Sequence, residues 1–211
     1  RPYAYAIWNR IIEYISNELS KIGFQQAYFP LLLPQSLLDE ETHYLPTLSP
    51  RVFSVSEGGG NSLSEPLIIR PSSESIVNYM FSKWVNSYRN LPIKLFQYCN
   101  IARWEEVTHP FLKGREILWL EGHAVFASHK DAITTIESLR RIYGGLYHDL
   151  LAIPTFCGIE PQTRKFVGSD NTYSYEALTP NGRTLQLGAI YDLGTIFSQI
   201  YNVTFKNSNN E

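Results

Sequence analysis

One stretch of this chain, residues 115–126, constrains the fold more than any other, because its residues sort by parity into two faces of different chemistry. Side chains of a strand alternate between faces. Leu118, Leu120, Gly122, Ala124 and Phe126 make one face apolar or small, and that face is expected to lie on the core. Arg115, Ile117, Trp119, Glu121, His123 and Val125 make the other, so an indole, a carboxylate and an imidazole stand in line about 7 Å apart. Such a row suits the wall of a pocket. A lone Glu121–His123 pair is equally readable as two side chains satisfying each other, and Trp119 on the same face favours the pocket.

The preceding run, residues 93–105, reads as the antiparallel partner of this strand across a short loop at 106–110. Its odd-numbered face carries Ile93, Leu95, Gln97, Cys99 and Ile101, with Arg103 and Glu105 at the far end. An arginine beside a carboxylate suits a polyanion that also carries an amine: the guanidinium forks onto phosphate oxygens while the acid accepts from the amino group. The simpler alternative is a surface ion pair, worth little.

Around this hairpin the periodicity predicts helices. Ile7, Ile11, Ile15 and Leu19 recur at helical spacing and Gly23 can cap, giving a helix over 3–22. An apolar extended segment at 27–33 holds Pro30, which removes a backbone donor and points to an edge strand or an irregular interface strand. Segments 51–56 and 67–69 flank Gly58-Gly59-Gly60 and read as a hairpin with a long, flexible connection. Ser72, Ser73 and Glu74 make a helix start with a hydroxyl cap, and Val77, Met80, Phe81, Trp84 and Tyr88 line one face of a helix ending before Pro92. Ser128 and Asp131 open a further helix, whose stripe from Ala132 to Leu150 must lie on a sheet. Strands follow at 165–167, 172–178 and 184–190, the last two joined by a turn at Pro180-Asn181-Gly182, and a short helix over 195–201 comes after them. Strands interrupted by long helices indicate an α+β fold, an antiparallel sheet with flanking helices, in one domain spanning residues 1–211. The polar end, 206–211, is expected to fray.

Composition narrows the function classes. Eighteen Lys and Arg against 20 Asp and Glu give a formal charge of -2, unlike a self-sufficient nucleic-acid binder. The two cysteines, Cys99 and Cys157, have no metal-ligand spacing and read as reduced thiols of a cytoplasmic protein, so no metal site is assigned to side chains. Apolar stretches break well short of the roughly 18 residues that a membrane span needs, and no membrane partner is expected.

Arg103-Trp104-Glu105 followed by the run from Pro110 and Phe111 through Lys113-Gly114-Arg115 to Trp119-Leu120-Glu121-Gly122-His123 resembles the motif 2 hairpin of prolyl-tRNA synthetases of the eukaryotic and archaeal type, a class II aminoacyl-tRNA synthetase family. Four further stretches agree in order: Arg1-Pro2 through Trp8 leading to Tyr28-Phe29-Pro30, like motif 1; Arg70-Pro71-Ser72-Ser73-Glu74-Ser75, like the family's R-P-T-S-E-T; Lys165-Phe166-Val167-Gly168; and Gly182-Arg183 through Phe197. The resemblance implies a proline–tRNA ligase that condenses proline with ATP to prolyl-adenylate, with magnesium, and charges tRNA(Pro), as a homodimer through the motif 1 region. It implies Arg103 as the catalytic residue, holding the α-phosphate and the proline carboxylate. Glu105, Lys113 and Gln186 join Arg103 as ATP-binding residues. Ser72, Glu74, Arg103, Trp119, Glu121, His123, Phe166 and Tyr191 become proline-binding. Lys113 stands where the family usually has an arginine and keeps the charge without the fork.

One segment departs from the pattern. After the glutamine matched by Gln186 the family usually reads G-G-T-S-H-H-L-G, whereas this chain has Leu187-Gly188-Ala189-Ile190-Tyr191-Asp192-Leu193-Gly194. The lost hydroxyls and imidazoles leave open a non-catalytic paralogue that serves as a binding or dimerisation module. The chain is expected to be the part of a catalytic domain holding motifs 1 and 2, without motif 3 or an anticodon-binding domain.

Overall fold

The computed structural model describes residues 1–44, 52–110 and 112–208. The elements run α1 (Pro2–Lys21), β1 (Gln25–Gln26), β2 (Leu32–Pro34), α2 (Gln35–Tyr44), β3 (Phe53–Gly58), β4 (Asn61–Ile69), α3 (Glu74–Trp84), β5 (Ile93–Ala102), β6 (Glu116–Val125), α4 (His129–Gly145), β7 (Phe156–Ile159), β8 (Asn171–Leu178), β9 (Thr184–Asp192) and α5 (Ile196–Ile200). The class is α+β, as expected. Its strands form three-stranded sheets of order β1-β5-β6, β2-β4-β3 and β7-β8-β9. The chain divides into two compact units, Arg1–Gln25 with Phe126–Ile196, and Gln26–Val125 with Phe197–Glu211.

In the first unit, α4 packs on β9 and α1 packs on α4. Ser128 Oγ accepts from Asp131 N, which caps α4 as its sequence predicts, and a π-helical turn, Leu146–Leu150, carries the helix on to the expected end. Tyr143, Tyr147 and Tyr175 cluster with ring centroids 5.3 to 6.1 Å apart. Gly188 of β9 is required there, since a Cβ would stand 2.5 Å from the Tyr147 hydroxyl. Of the stripe on α1 only Ile15 and Leu19 are buried, and Ile7 is 56% exposed. The strand expected at 165–167 is absent: Lys165 N donates to Pro161 O and Phe166 N to Thr172 Oγ1, so turns rather than a ladder satisfy this backbone. The ladder partner of β8 is instead β7, which sequence periodicity missed.

In the second unit, Phe29, Val77 and Phe81 form a core with Met80, Ile93, Leu95 and Val125 around it, and Leu33, Leu38 and Ile68 form another. Pro30 breaks the extended segment as expected: Ala27 N donates to Phe96 O, and pairing resumes only at Leu32, opposite Ile69. Arg70 is fully buried and closes the gap, its Nε donating to Asn100 O and its Nη1 to Phe29 O and Pro30 O. The β3–β4 connection is not long. Gly58 pairs with Asn61, and Gly59 and Gly60 take φ of 61° and 81°, the left-handed pair that a two-residue hairpin turn demands. The expected strand start at Arg51 lies outside the described residues, as do Phe111 and residues 209–211 of the polar end. α3 stops at Trp84, where Val85 turns extended, and Tyr88 belongs to a separate 3-10 turn. β5 ends at Ala102, three residues short of the expected end. No sequence signal announced α2.

Candidate functional site

The β5–β6 register sets Gln97 opposite Glu121, Cys99 opposite Trp119 and Leu95 opposite His123. Parity then gathers the expected row and these partners on one face. The face character differs from expectation in one respect. Leu118 and Gly122, expected on the core, are exposed, whereas Glu121 is buried. The buried layer is thus the polar one, because α3 brings Ser73 down onto it.

Glu121 Oε1 accepts from Ser73 Oγ, from Gln97 Nε2 at 2.7 Å and from Cys99 Sγ at 3.2 Å. Gln97 is fixed in turn, since its Nε2 also donates to Ser73 Oγ and its Oε1 accepts from Phe29 N. Ser73 is the first residue of α3's approach, yet its hydroxyl caps nothing. It serves Glu121 instead, which corrects the expected cap. Ser73, Gln97 and Cys99 are members of the site that the motif resemblance did not assign; the parity of β5 could have found the latter two. Ser72, which it did assign, is half-buried next to them.

The second carboxylate oxygen behaves differently. Glu121 Oε2 stands 3.5 Å from His123 Nε2, an ion-pair separation beyond a well-made hydrogen bond. Glu121 Oε2, His123 Nε2, Trp119 Nε1 and Glu74 Oε2 are all buried without a hydrogen-bond partner among the described residues. The indole lies beside the Cys99 thiol without the geometry of a bond. Burial would raise the Glu121 carboxyl, but His123, Ser73 and Cys99 outweigh it and bring it down to about 2. Burial would lower His123, yet Glu121, with Glu74 and Glu41 further off, raises it above its ordinary value. The wall therefore holds an ion pair and, on Glu74, a further buried carboxylate oxygen without a partner among the described residues. Buried polar atoms left unsatisfied are rare, so four on one wall set this place apart.

Arg103 follows the strand end. Its Nε donates to Pro71 O at 2.8 Å and its guanidinium lies over the Trp119 ring, 5.3 Å from the centroid. It thus joins the row from the end of β5. Glu105 and Lys113 bond to each other, Nζ to Oε2 at 2.8 Å, and the lysine is half exposed. Arg115 stacks on Trp104 at 4.0 Å and donates to Glu105 O. Three expected residues belong to the other unit. There Phe166 and Tyr191 pack ring to ring with centroids 4.6 Å apart, and Gln186 Nε2 donates to Ser174 Oγ.

Residues 53–211 match the tRNA synthetase class II core domain (G, H, P, S and T). The chain belongs to that family. Within it, the chain is 40% identical over 97% of its length to the proline–tRNA ligase of Borreliella burgdorferi (strain ZS7), of which it covers 42%. Two solved structures are similar over the whole chain. The prolyl-tRNA synthetase of Giardia lamblia in complex with prolyl-adenylate has TM-score 0.96 and 33% identity, and that of Cryptosporidium parvum complexed with halofuginone and AMPPNP has TM-score 0.93 and 36% identity. The chain spans 43% and 42% of those two proteins.

Proposed function

We propose that the protein carrying this chain is a proline–tRNA ligase, activating proline with ATP to prolyl-adenylate and transferring it to tRNA(Pro). The observation that carries the reading is the set of unsatisfied atoms on Glu74, Trp119, Glu121 and His123. An ammonium supplies donors for the Glu74 and Glu121 oxygens, and an indole face encloses an apolar ring. The likeness to proline–tRNA ligases, one bound to prolyl-adenylate and one to an ATP analogue, supports it.

In this reading the proline carboxylate attacks the α-phosphorus and pyrophosphate leaves, so the chain supplies positioning and positive charge rather than a nucleophile. Arg103 is the catalytic residue. Its Nε is held by Pro71 O and its guanidinium lies over Trp119, which leaves the terminal nitrogens for the carboxylate and the α-phosphate in this reading. Glu74, Glu121, Trp119, His123 and Ser72 take the amino acid, with Phe166 and Tyr191 as aromatic contributors. Glu105 takes the adenine amino group, and Lys113 and Gln186 take other parts of the nucleotide. Among the described residues no group of three or more His, Cys, Asp or Glu side chains could hold a metal. Magnesium, which comes with ATP in this reading, would neutralise charge on its phosphates. A homodimer through the motif 1 region is supported by the exposed Tyr28, Leu31 and Leu32 beside the sheet-edge strand β2. Among the described residues no helix is long and apolar enough to cross a membrane, and the reading places the protein in the cytoplasm.

The deciding experiment is proline-dependent exchange of labelled pyrophosphate into ATP. Exchange with proline and not with other amino acids is expected. No exchange with any amino acid sinks the reading, and a melting temperature raised by proline in that case identifies a relative that binds without activating.

A further inference from the structure

The break at Pro30 leaves the Phe29 backbone outside the ladder, and two buried side chains take it up. The Phe29 N–H donates to Gln97 Oε1 at 2.9 Å, and the Phe29 carbonyl accepts from Arg70 Nη1. Both side chains are 1% exposed, and each leads on to a charged group of the pocket. Gln97 Nε2 donates to Glu121 Oε1 at 2.7 Å and to Ser73 Oγ at 3.0 Å, so both of its hydrogens are placed. After Arg70 comes Pro71, whose carbonyl accepts from Arg103 Nε. The Gln97 amide can be set in only one way. Turned over, it would put its oxygen against Glu121 Oε1 and its N–H groups against the Phe29 N–H, two repulsions in a buried place.

We propose that Gln97 is a positioning residue of the amino-acid pocket: it carries the position of the Phe29 backbone to the Glu121 carboxylate and occupies Oε1, so that Oε2 is the oxygen offered to the substrate ammonium. The proposal rests on the reading of the pocket given above. Ser73 and Cys99 also donate to Oε1, but each has a single polar hydrogen that turns about its own bond. Of the three donors, Gln97 is the one tied to a backbone N–H of another segment. Without that tie the terminal torsion of Glu121, which is broad by nature, no longer fixes which oxygen faces the ligand. Arg103 is held through Pro71 and not through Gln97, so the grip on the nucleotide is spared.

The test measures proline-dependent exchange and thermal melting for the wild type, Gln97→Met and Gln97→Asn. Methionine matches glutamine in length and offers Glu121 no N–H; asparagine keeps the amide but is too short to bridge Phe29 and Glu121 at once. Gln97→Met is expected to raise KM for proline about ten-fold, with KM for ATP within about two-fold of the wild type and kcat changed less than the proline KM. Gln97→Asn should raise the proline KM about five-fold with the same split, and it decides the matter if Gln97→Met does not fold. A proline KM within about two-fold of the wild type in a folded variant overturns the proposal. A rise in KM for ATP as large as that for proline also overturns it, since that is general loosening and not the placing of one carboxylate. If the wild type shows no exchange but proline raises its melting temperature, the same comparison is made on that rise, which should shrink in both variants. A wild type that neither exchanges nor is stabilised by proline overturns the pocket reading, and this proposal with it.

Discussion

Two carboxylates of the same hairpin have been given opposite settings. Glu121 is buried, accepts from three side chains that are themselves fixed, and has a pKa depressed to about 2. Glu105 sits past the end of β5 and pairs through Oε2 with the half-exposed Lys113. The first arrangement is preorganised: its donors come from β5 and the start of α3, and a ligand finds the charge in place. In the second, a ligand amine competes with Lys113 for Glu105 Oε2. If Glu121 binds the ammonium and Glu105 the adenine, the amino-acid side of the site is rigid and the nucleotide side forms on binding. Proline selectivity belongs on the rigid side, because shape discriminates only where the walls do not yield.

The largest effect should come from removing the rigid charge. Glu121→Ala strips the partner from Ser73, Gln97 and Cys99 together, leaving buried donors unsatisfied at on the order of 1–3 kcal/mol each. The expected outcome is a fall of at least about 100-fold in proline kcat/KM with a lowered melting temperature, read by exchange kinetics and calorimetry. Glu121→Gln separates charge from packing: it should restore most of the melting temperature and little of the activity. Activity that survives Glu121→Gln would break the contrast between the two carboxylates.

A smaller effect attaches to His123. Its folded value is raised, so the stability it contributes is full below about 6.5 and is lost as pH rises through the folded value. Glu121 has the opposite sign, contributing above its ordinary 4.5 and losing that contribution as pH falls towards 2. The ion pair is therefore strongest between the two limits. His123→Gln should flatten the alkaline limb of the melting curve, weaken the acid limb as well because His123 is the main group that lowers Glu121, and raise the proline KM by about ten-fold, as read by melting and exchange against pH. An alkaline limb that persists in the variant would show that another group carries it.

Period-two alternation made the Trp119, Glu121 and His123 face legible, because the pleat fixes it regardless of neighbours. What alternation could not reveal was which face is buried. Leu118 is 45% exposed, and the apolar appearance of its face misled because burial depends on what packs above a strand. The same limit hid Ser73. A serine before an acid at a helix start looks like a cap in any sequence, and only the arrival of β6 beneath it redirects the hydroxyl to Glu121. The turn at Gly59 and Gly60 shows the converse: both glycines were visible, but the pairing of Gly58 with Asn61 made the connection short. Pro30 was decisive in sequence because it acts locally.

The smallest effect, and the sharpest test of the nucleotide side, is at Lys113. A half-exposed ion pair contributes little to stability, so Lys113→Met should leave the melting temperature almost unchanged. It should also free Glu105 from competition while removing one positive charge from the nucleotide. These act in opposite directions, and if Lys113 meets the nucleotide as proposed the loss of charge is the larger; an increase of about three-fold in KM for ATP is then expected, with KM for proline unmoved. Lys113→Arg should then restore the KM or better it, since the fork can hold phosphate oxygens two at a time. Should Lys113→Met instead tighten ATP, the lysine's main action is to occupy Glu105, and the nucleotide side is held shut by the protein rather than assembled by the ligand.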